Sequence, residues 1–146
     1  MLTLTRSVKK KILVVDDETD FTLLQKVMPE YEIRVETLAE AALHAAHSFH
    51  PDVFLIDLVL PDIHGLTLAR KIRRDRRLRR APIVFVSALV HFDEECDGPV
   101  LVEEFPEFGK PFRIEGLKRC IEQLIHGDPE ATTGLRRVNI GTIAGT

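Results

Sequence analysis

Five residues stand at the ends of apolar runs, and together they could handle a phosphoryl group. Asp57 closes the run that begins at Pro51, and the pair Asp16-Asp17 follows the run from Lys11 to Val15. Ser87 follows Ile83 to Val86, and Lys110 sits between Gly109 and Pro111. Clustered carboxylates repel one another and need a counter-charge; Mg2+ suits them because it takes oxygen ligands and leaves positions for water or phosphate oxygens. A carboxylate can attack phosphorus to give an aspartyl phosphate. A metal ion and an amine can then neutralise the oxygens in transfer, and a hydroxyl can hydrogen-bond one of them. Acids and serines after strands also serve as plain helix caps. No single member decides between these readings, and the signal is the constellation.

The elements that must position these residues alternate between strand and helix. Strands are predicted at 11–17, 31–35, 52–57 and 83–87 and around Glu107 to Lys110. Helices are predicted from Thr19 to the stop at Pro29, with Phe21, Leu24, Val27 and Met28 on one face, and over the Ala-rich stretch 38–49. Two more are predicted over 66–79 and from Ile114 to Ile125, where apolar residues recur at helical spacing. Gly98-Pro99 interrupts any helix in 89–104. Five such β/α units predict a doubly wound, five-stranded parallel sheet with helices on both faces. With strand order 2-1-3-4-5, strands 1 and 3 meet at the switch point where ligands bind in open α/β sheets. Asp16, Asp17 and Asp57 would converge there, with Ser87 and Lys110 reached from strands 4 and 5.

Over residues 10–126 the chain resembles the receiver domain of bacterial two-component response regulators, a flavodoxin-like fold. The resemblance rests on Asp16-Asp17, on Asp57 to Pro61 with Gly65, on Ser87-Ala88, and on Lys110-Pro111-Phe112. It implies that Asp57 is the phosphoacceptor for a histidine kinase or phosphotransfer protein. It also implies that Asp17, Asp57 and the Val59 carbonyl bind Mg2+, with Asp16 contributing through water. Ser87 would be the switch hydroxyl and Lys110 the phosphate-pairing amine. The signal would pass to a separate output protein or to an output domain of a longer chain, and a homodimer is left open.

Three departures from the family pattern stand out. Glu107 occupies the place of the usual Tyr or Phe three residues before the Lys, and Val102 to Pro106 replace a Gly-Ala pair. Only 40 residues separate Asp17 from Asp57, which predicts a short first helix. In this family the positions of Val59 and Leu89 border the path of an attacking water. Two apolar side chains there offer it no hydrogen bond or general base, which predicts slow autodephosphorylation.

At 146 residues the chain fits one domain, with 1–9 read as an N-terminal extension and 127–146 as a flexible tail or linker start. No apolar stretch is long enough to span a membrane, no secretory signal is visible, and two isolated cysteines suit a reduced cytoplasmic setting. The net charge of −3 conceals an asymmetry: eight of the 20 Lys and Arg residues lie between Arg70 and Arg80, and the remainder carries a net of −10. With no helix-turn-helix pattern and no interleaved aromatics, that stripe reads as a solvated helix face rather than a nucleic-acid site. His44, His47 and His50 read as surface histidines, lacking partners for a zinc site. His64, beside the acceptor, reads as loop filler. A phosphohydrolase of the haloacid dehalogenase type would need an acid where Val59 stands, as well as room for a cap domain. A degenerate receiver used only for binding is the other alternative, and the complete set of site residues argues against it.

Overall fold

A computed structural model describes residues 8–88 and 99–138. Three runs of β-branched and apolar residues form the centre of the sheet: β1 (Lys10–Val15), β3 (Val53–Asp57) and β4 (Ile83–Ser87). Every residue of β3 and β4 is buried, as expected for parallel strands covered on both faces. The edge strand β2 (Tyr31–Glu36) pairs parallel with β1, and its first four residues alternate between buried and exposed.

Successive side chains point to opposite faces, so the strands feed two cores. Leu13, Val15, Phe54, Ile56, Ile83 and Phe85 pack against α2 (Ala39–Phe49) and α3 (Gly65–Arg74). Ile12, Val14, Val53, Leu55, Val84 and Val86 pack with Leu117, Cys120 and Ile121 of α4 (Ile114–Ile125). Each large apolar side chain fully buried in this way contributes about 1.5–3 kcal/mol.

The first helix is short, as the Asp17–Asp57 spacing predicts. α1 spans Phe21–Val27, with the Asp20 carboxylate accepting the Thr22 and Leu23 N–H groups at 2.9 and 3.2 Å. Leu24, Val27 and Met28 meet the core, but Phe21 stays 45% exposed and does not share that face. The predicted helix over 66–79 ends at Arg74. Asp75 is extended, and its carboxylate accepts the Arg77 N–H at 2.9 Å, which starts a new turn and directs Leu78 inward.

The prediction of a five-stranded, all-parallel sheet is corrected at one edge. Among the described residues the sheet has seven strands, including Val100–Val102 (β5), Phe105–Gly109 (β6) and Arg137–Val138 (β7), in the order β2-β1-β3-β4-β6-β5-β7, and its parallel core β2-β1-β3-β4-β6 has the predicted order. One of the two extra strands comes from the segment just before the predicted last strand, and the other from the tail. β5 (Val100–Val102) and β6 (Phe105–Gly109) form an antiparallel hairpin, with Glu103 in the left-handed region (φ 54°) at its turn. The expected flexible tail is also structured in part. Pro129–Thr132 forms a 3-10 turn, and β7 (Arg137–Val138) pairs parallel with β5. Leu89, Cys96, the acidic run 93–97 and Ile140 lie outside the described residues.

Candidate phosphoryl-accepting site

The C-terminal ends of β1, β3, β4 and β6 carry the predicted site residues to one edge of the sheet. Backbone bonds fix their heights: Asp16 N–H donates to Glu36 (3.0 Å), Leu58 N–H to Val86 (3.2 Å) and Lys110 N–H to Ser87 (2.9 Å). Carboxylate oxygens of Asp16, Asp17 and Asp57 lie within 4.8 Å of one another, the only such group among the described residues. Asp16 and Asp57 are buried, whereas Asp17 is exposed. The Lys110 ammonium donates to Asp16 Oδ2 and to Asp57 Oδ2, each at 2.9 Å, and supplies the counter-charge the cluster needs.

The other carboxylate oxygens are held by backbone. Asp57 Oδ1 accepts the Val59 N–H at 2.9 Å, and Asp16 Oδ1 accepts the Glu18 N–H at 2.8 Å. Burial alone would raise the Asp16 carboxyl. The Glu18 N–H, the Lys110 ammonium and the Thr19 hydroxyl outweigh it and hold the group below the ordinary carboxylate range. Burial likewise opposes the charge on Lys110, but its bonds to Asp57 and Asp16 prevail and raise it above the usual lysine value. Both partners are thus ionised at neutral pH. Ser87 is fully buried at the end of β4, beside the strand that ends in Asp57. Val59, two residues after Asp57, is 51% exposed.

The loop after Asp57 is pinned to the strand end. Gly65 N–H donates to the Leu58 carbonyl at 2.8 Å, and a Cβ on Gly65 would lie 2.3 Å from the Asp57 carbonyl oxygen and 2.8 Å from Leu58 Cα. Only glycine lets α3 begin this close to Asp57. Asp62 ties the same loop to α2, whose own cap position, Leu38, has no capping side chain: its carboxylate accepts the Ala39 and Glu40 N–H groups at 3.0 and 3.2 Å. His64 caps α3, with Nδ1 accepting the Leu66 N–H at 3.1 Å, so this histidine has a structural task in the loop.

The response regulator receiver domain model matches residues 12–98, more than half of the chain. The chain belongs to that family. Response regulator ArlR of Staphylococcus saprophyticus is 30% identical over 124 residues, covering 82% of this chain and 54% of that protein. The DNA-binding dual master transcriptional regulator RpaA of Synechocystis is 29% identical over 121 residues, covering 79% and 48%. The chain thus spans about half the length of these relatives. A solved structure assigned as a response regulator, from Chloroflexus aurantiacus, superposes with TM-score 0.66 at 25% identity, covering 82% of this chain and 99% of that one. The receiver domain of sensor histidine kinase PA1611 from Pseudomonas aeruginosa, described with a magnesium ion coordinated in its active-site cleft, gives TM-score 0.65 at 24% identity, covering 82% and 99%.

The family match stops at residue 98, before the hairpin and Lys110. Lys110 nevertheless reaches the receiver's acidic cluster, because the register of β6 on β4 sets Gly109 opposite Ser87. Sequence reasoning missed the setting of Glu107. The residue is fully buried, and among the described residues neither carboxylate oxygen has a hydrogen-bond partner. Burial, followed by the nearby negative charge of Asp57, raises its carboxyl to about 8. Its place two residues after Phe105, on the strand face that packs on the α2 and α3 side, was the available signal. His44 and His50 are exposed and His47 is partly so; against the expectation of no nearby carboxylate, His47 pairs with Asp75 at 2.6 Å, away from the acidic cluster. Among the described residues no helix is long and apolar enough to cross a membrane.

Proposed function

We propose that this receiver accepts a phosphoryl group on Asp57 from a phosphohistidine of a histidine kinase or phosphotransfer protein. An Asp57 carboxylate oxygen bonds to phosphorus as the phosphorus–nitrogen bond breaks, and the imidazole leaves with the bonding electrons and takes a proton from solvent. The observation that carries the reading is the Lys110 ammonium, 2.9 Å from both Asp16 and Asp57 within a cluster of three carboxylates. Lys110 exchanges one of these contacts for a phosphoryl oxygen, and Ser87 offers its hydroxyl to another. The Val59 N–H holds Asp57 Oδ1, which leaves Oδ2 the freer oxygen once Lys110 turns to the phosphoryl group.

The donor set fits magnesium. Three carboxylates with oxygens this close suit a hard divalent ion, and the PA1611 receiver is described with that ion in its cleft. Asp17 and Asp57 with the Val59 carbonyl would hold it, with Asp16 acting through water. The ion would supply positive charge to the transferring oxygens. The protein acts here as a signalling phosphoacceptor rather than as an enzyme turning over a substrate, in a cytoplasmic setting. Because the relatives are about twice as long, the output lies in further chain or in a separate protein.

The test is incubation with acetyl phosphate, or with beryllofluoride and Mg2+, using Asp57→Asn as control. Uptake by the wild type alone is expected. No uptake by either would favour the degenerate, unphosphorylated receiver, a reading to which the unusual β5–β6 hairpin lends some weight. Steady turnover of p-nitrophenyl phosphate would favour a phosphohydrolase.

A further inference from the structure

Among the described residues, Glu107 alone has a buried carboxylate with neither oxygen hydrogen-bonded. It lies inside the sheet, opposite Phe85 of β4 on one side and Val100 of β5 on the other. The side chains of that face (Ile83, Phe85, Phe105, Val100 and Val102) form an apolar cluster with α2 and α3. An ionised carboxylate so placed forgoes hydration with nothing in return, which costs several kcal/mol, whereas the neutral acid loses far less.

The charged groups around it do not relieve this. β4 and β5 bring no titratable side chain to that face. The arginines of α3 nearest the hairpin turn to its tip, with Arg70 on Glu103 at 2.7 Å and Arg73 on Glu104 at 3.8 Å. His64, at the start of α3, is held below the usual histidine range by burial and then by Arg70, so it brings no positive charge at neutral pH. The acids of segment 89–98 and His91 lie outside the described residues. The charge that does act on Glu107 is Asp57, which has the same sign. In register Glu107 faces Phe85, which in turn faces Ile56 beside Asp57. Two strand spacings, roughly 10 Å, therefore separate the two backbones.

We propose that Glu107 gates phosphoryl uptake at Asp57 through its proton: the neutral acid permits the added negative charge, and the carboxylate opposes it. This inference rests on Asp57 being the phosphoacceptor. Glu107 is a positioning residue, since it touches neither metal nor phosphoryl group. Linkage makes the effect reciprocal: a phosphoryl group on Asp57 tightens the hold of Glu107 on its proton. One extra charge at roughly 10 Å and an effective dielectric near 20 changes an equilibrium by roughly tenfold, less where a metal ion compensates.

The experiment measures beryllofluoride affinity at saturating Mg2+ for wild type, Glu107→Gln and Asp57→Asn, from about pH 6.5 to about 9.5. The ratio of wild-type to Glu107→Gln affinity is expected to fall several-fold, up to roughly tenfold, as pH rises through about 8. Effects of pH on the reagent or on Lys110 are common to both proteins and cancel in the ratio. A ratio constant across this range overturns the gate while leaving the phosphoacceptor reading intact. Binding by none of the three, or equally by Asp57→Asn, overturns both. Should Glu107→Gln not fold, infrared titration of the wild type decides. The band of a protonated carboxyl should vanish near pH 8 and persist to higher pH with beryllofluoride bound, and an unmoved or absent band overturns the gate.

Discussion

Replacing Glu107 by Gln should change how stability depends on pH, and the size of the effect follows from where the carboxyl sits. In the unfolded chain the group titrates near the ordinary glutamate value of 4.5; in the fold, burial and then the charge of Asp57 raise it to about 8. A raised acid holds its proton in the native state while the unfolded chain releases it. Stability therefore falls as pH rises through the interval between the two values and levels off above about 8. The slope there is about 1.4 kcal/mol per pH unit, and the full interval corresponds to about 5 kcal/mol as an upper bound. Gln keeps the shape and leaves its own amide unpaired, a cost of about 1–3 kcal/mol that does not vary with pH. Urea unfolding of the two proteins at several pH values isolates the difference, because every other titrating group is shared. Between about pH 5.5 and 7.5 the wild type should lose about 2–3 kcal/mol relative to the variant. Parallel stability curves across that window would refute the claim that Glu107 is neutral in the fold.

Other perturbations separate the parts of the site. Gly65→Ala places a methyl 2.3 Å from the Asp57 carbonyl oxygen, so the acceptor loop must shift; unfolding should show a loss of about 1–3 kcal/mol, with weakened beryllofluoride binding. Lys110→Ala leaves two buried carboxylates without their counter-charge; a loss of about 3–5 kcal/mol is expected at pH 7, and it should shrink when Asp57→Asn is added. Val59→Asn gives an attacking water a polar neighbour, so the wild-type phosphoryl group should outlast that of the variant by about tenfold in a phosphate-release assay, and equal lifetimes would refute the slow-dephosphorylation reading. Glu103→Ala removes only an exposed ion pair with Arg70 and should change stability by under about 1 kcal/mol.

The parallel core was legible because a strand buried on both faces must be apolar throughout, and few segments of this chain satisfy that. Val53 to Ile56 and Ile83 to Val86 can be little else, and the acids and serine that follow them fall at the sheet edge by topology. The far edge was illegible for equally physical reasons. Pro106 lacks a backbone donor and argues against an inner strand, yet β6 is one, with Pro106 opposite Leu101 of the added strand β5. Arg137 and Val138 are too short a run to announce a strand, and they pair only because β5 offers an edge. Helix α3 was read five residues too long, since the carboxylate that ends it, Asp75, also looks like an ordinary solvent-facing helix residue.

Lys110 shows why the site survives where the family pattern does not. What the phosphoryl chemistry requires of β6 is a register, and Lys110 N–H on the Ser87 carbonyl at 2.9 Å, with Gly109 opposite Ser87, supplies it. The connection between β4 and β6 is free to change as long as that register holds. A change there still alters what the neighbouring strand reports. Lys110 directly follows β6 and Glu107 lies in its middle, so one segment both pairs with Asp57 and buries a titratable group in the hairpin core. Glu107 pairs in turn with Val100 of β5, and β5 with β7, so the three strands form one continuous edge of the sheet. The departure at Glu107 thus falls on the strand that lies between the parallel core ending in Asp57 and the edge strands β5 and β7.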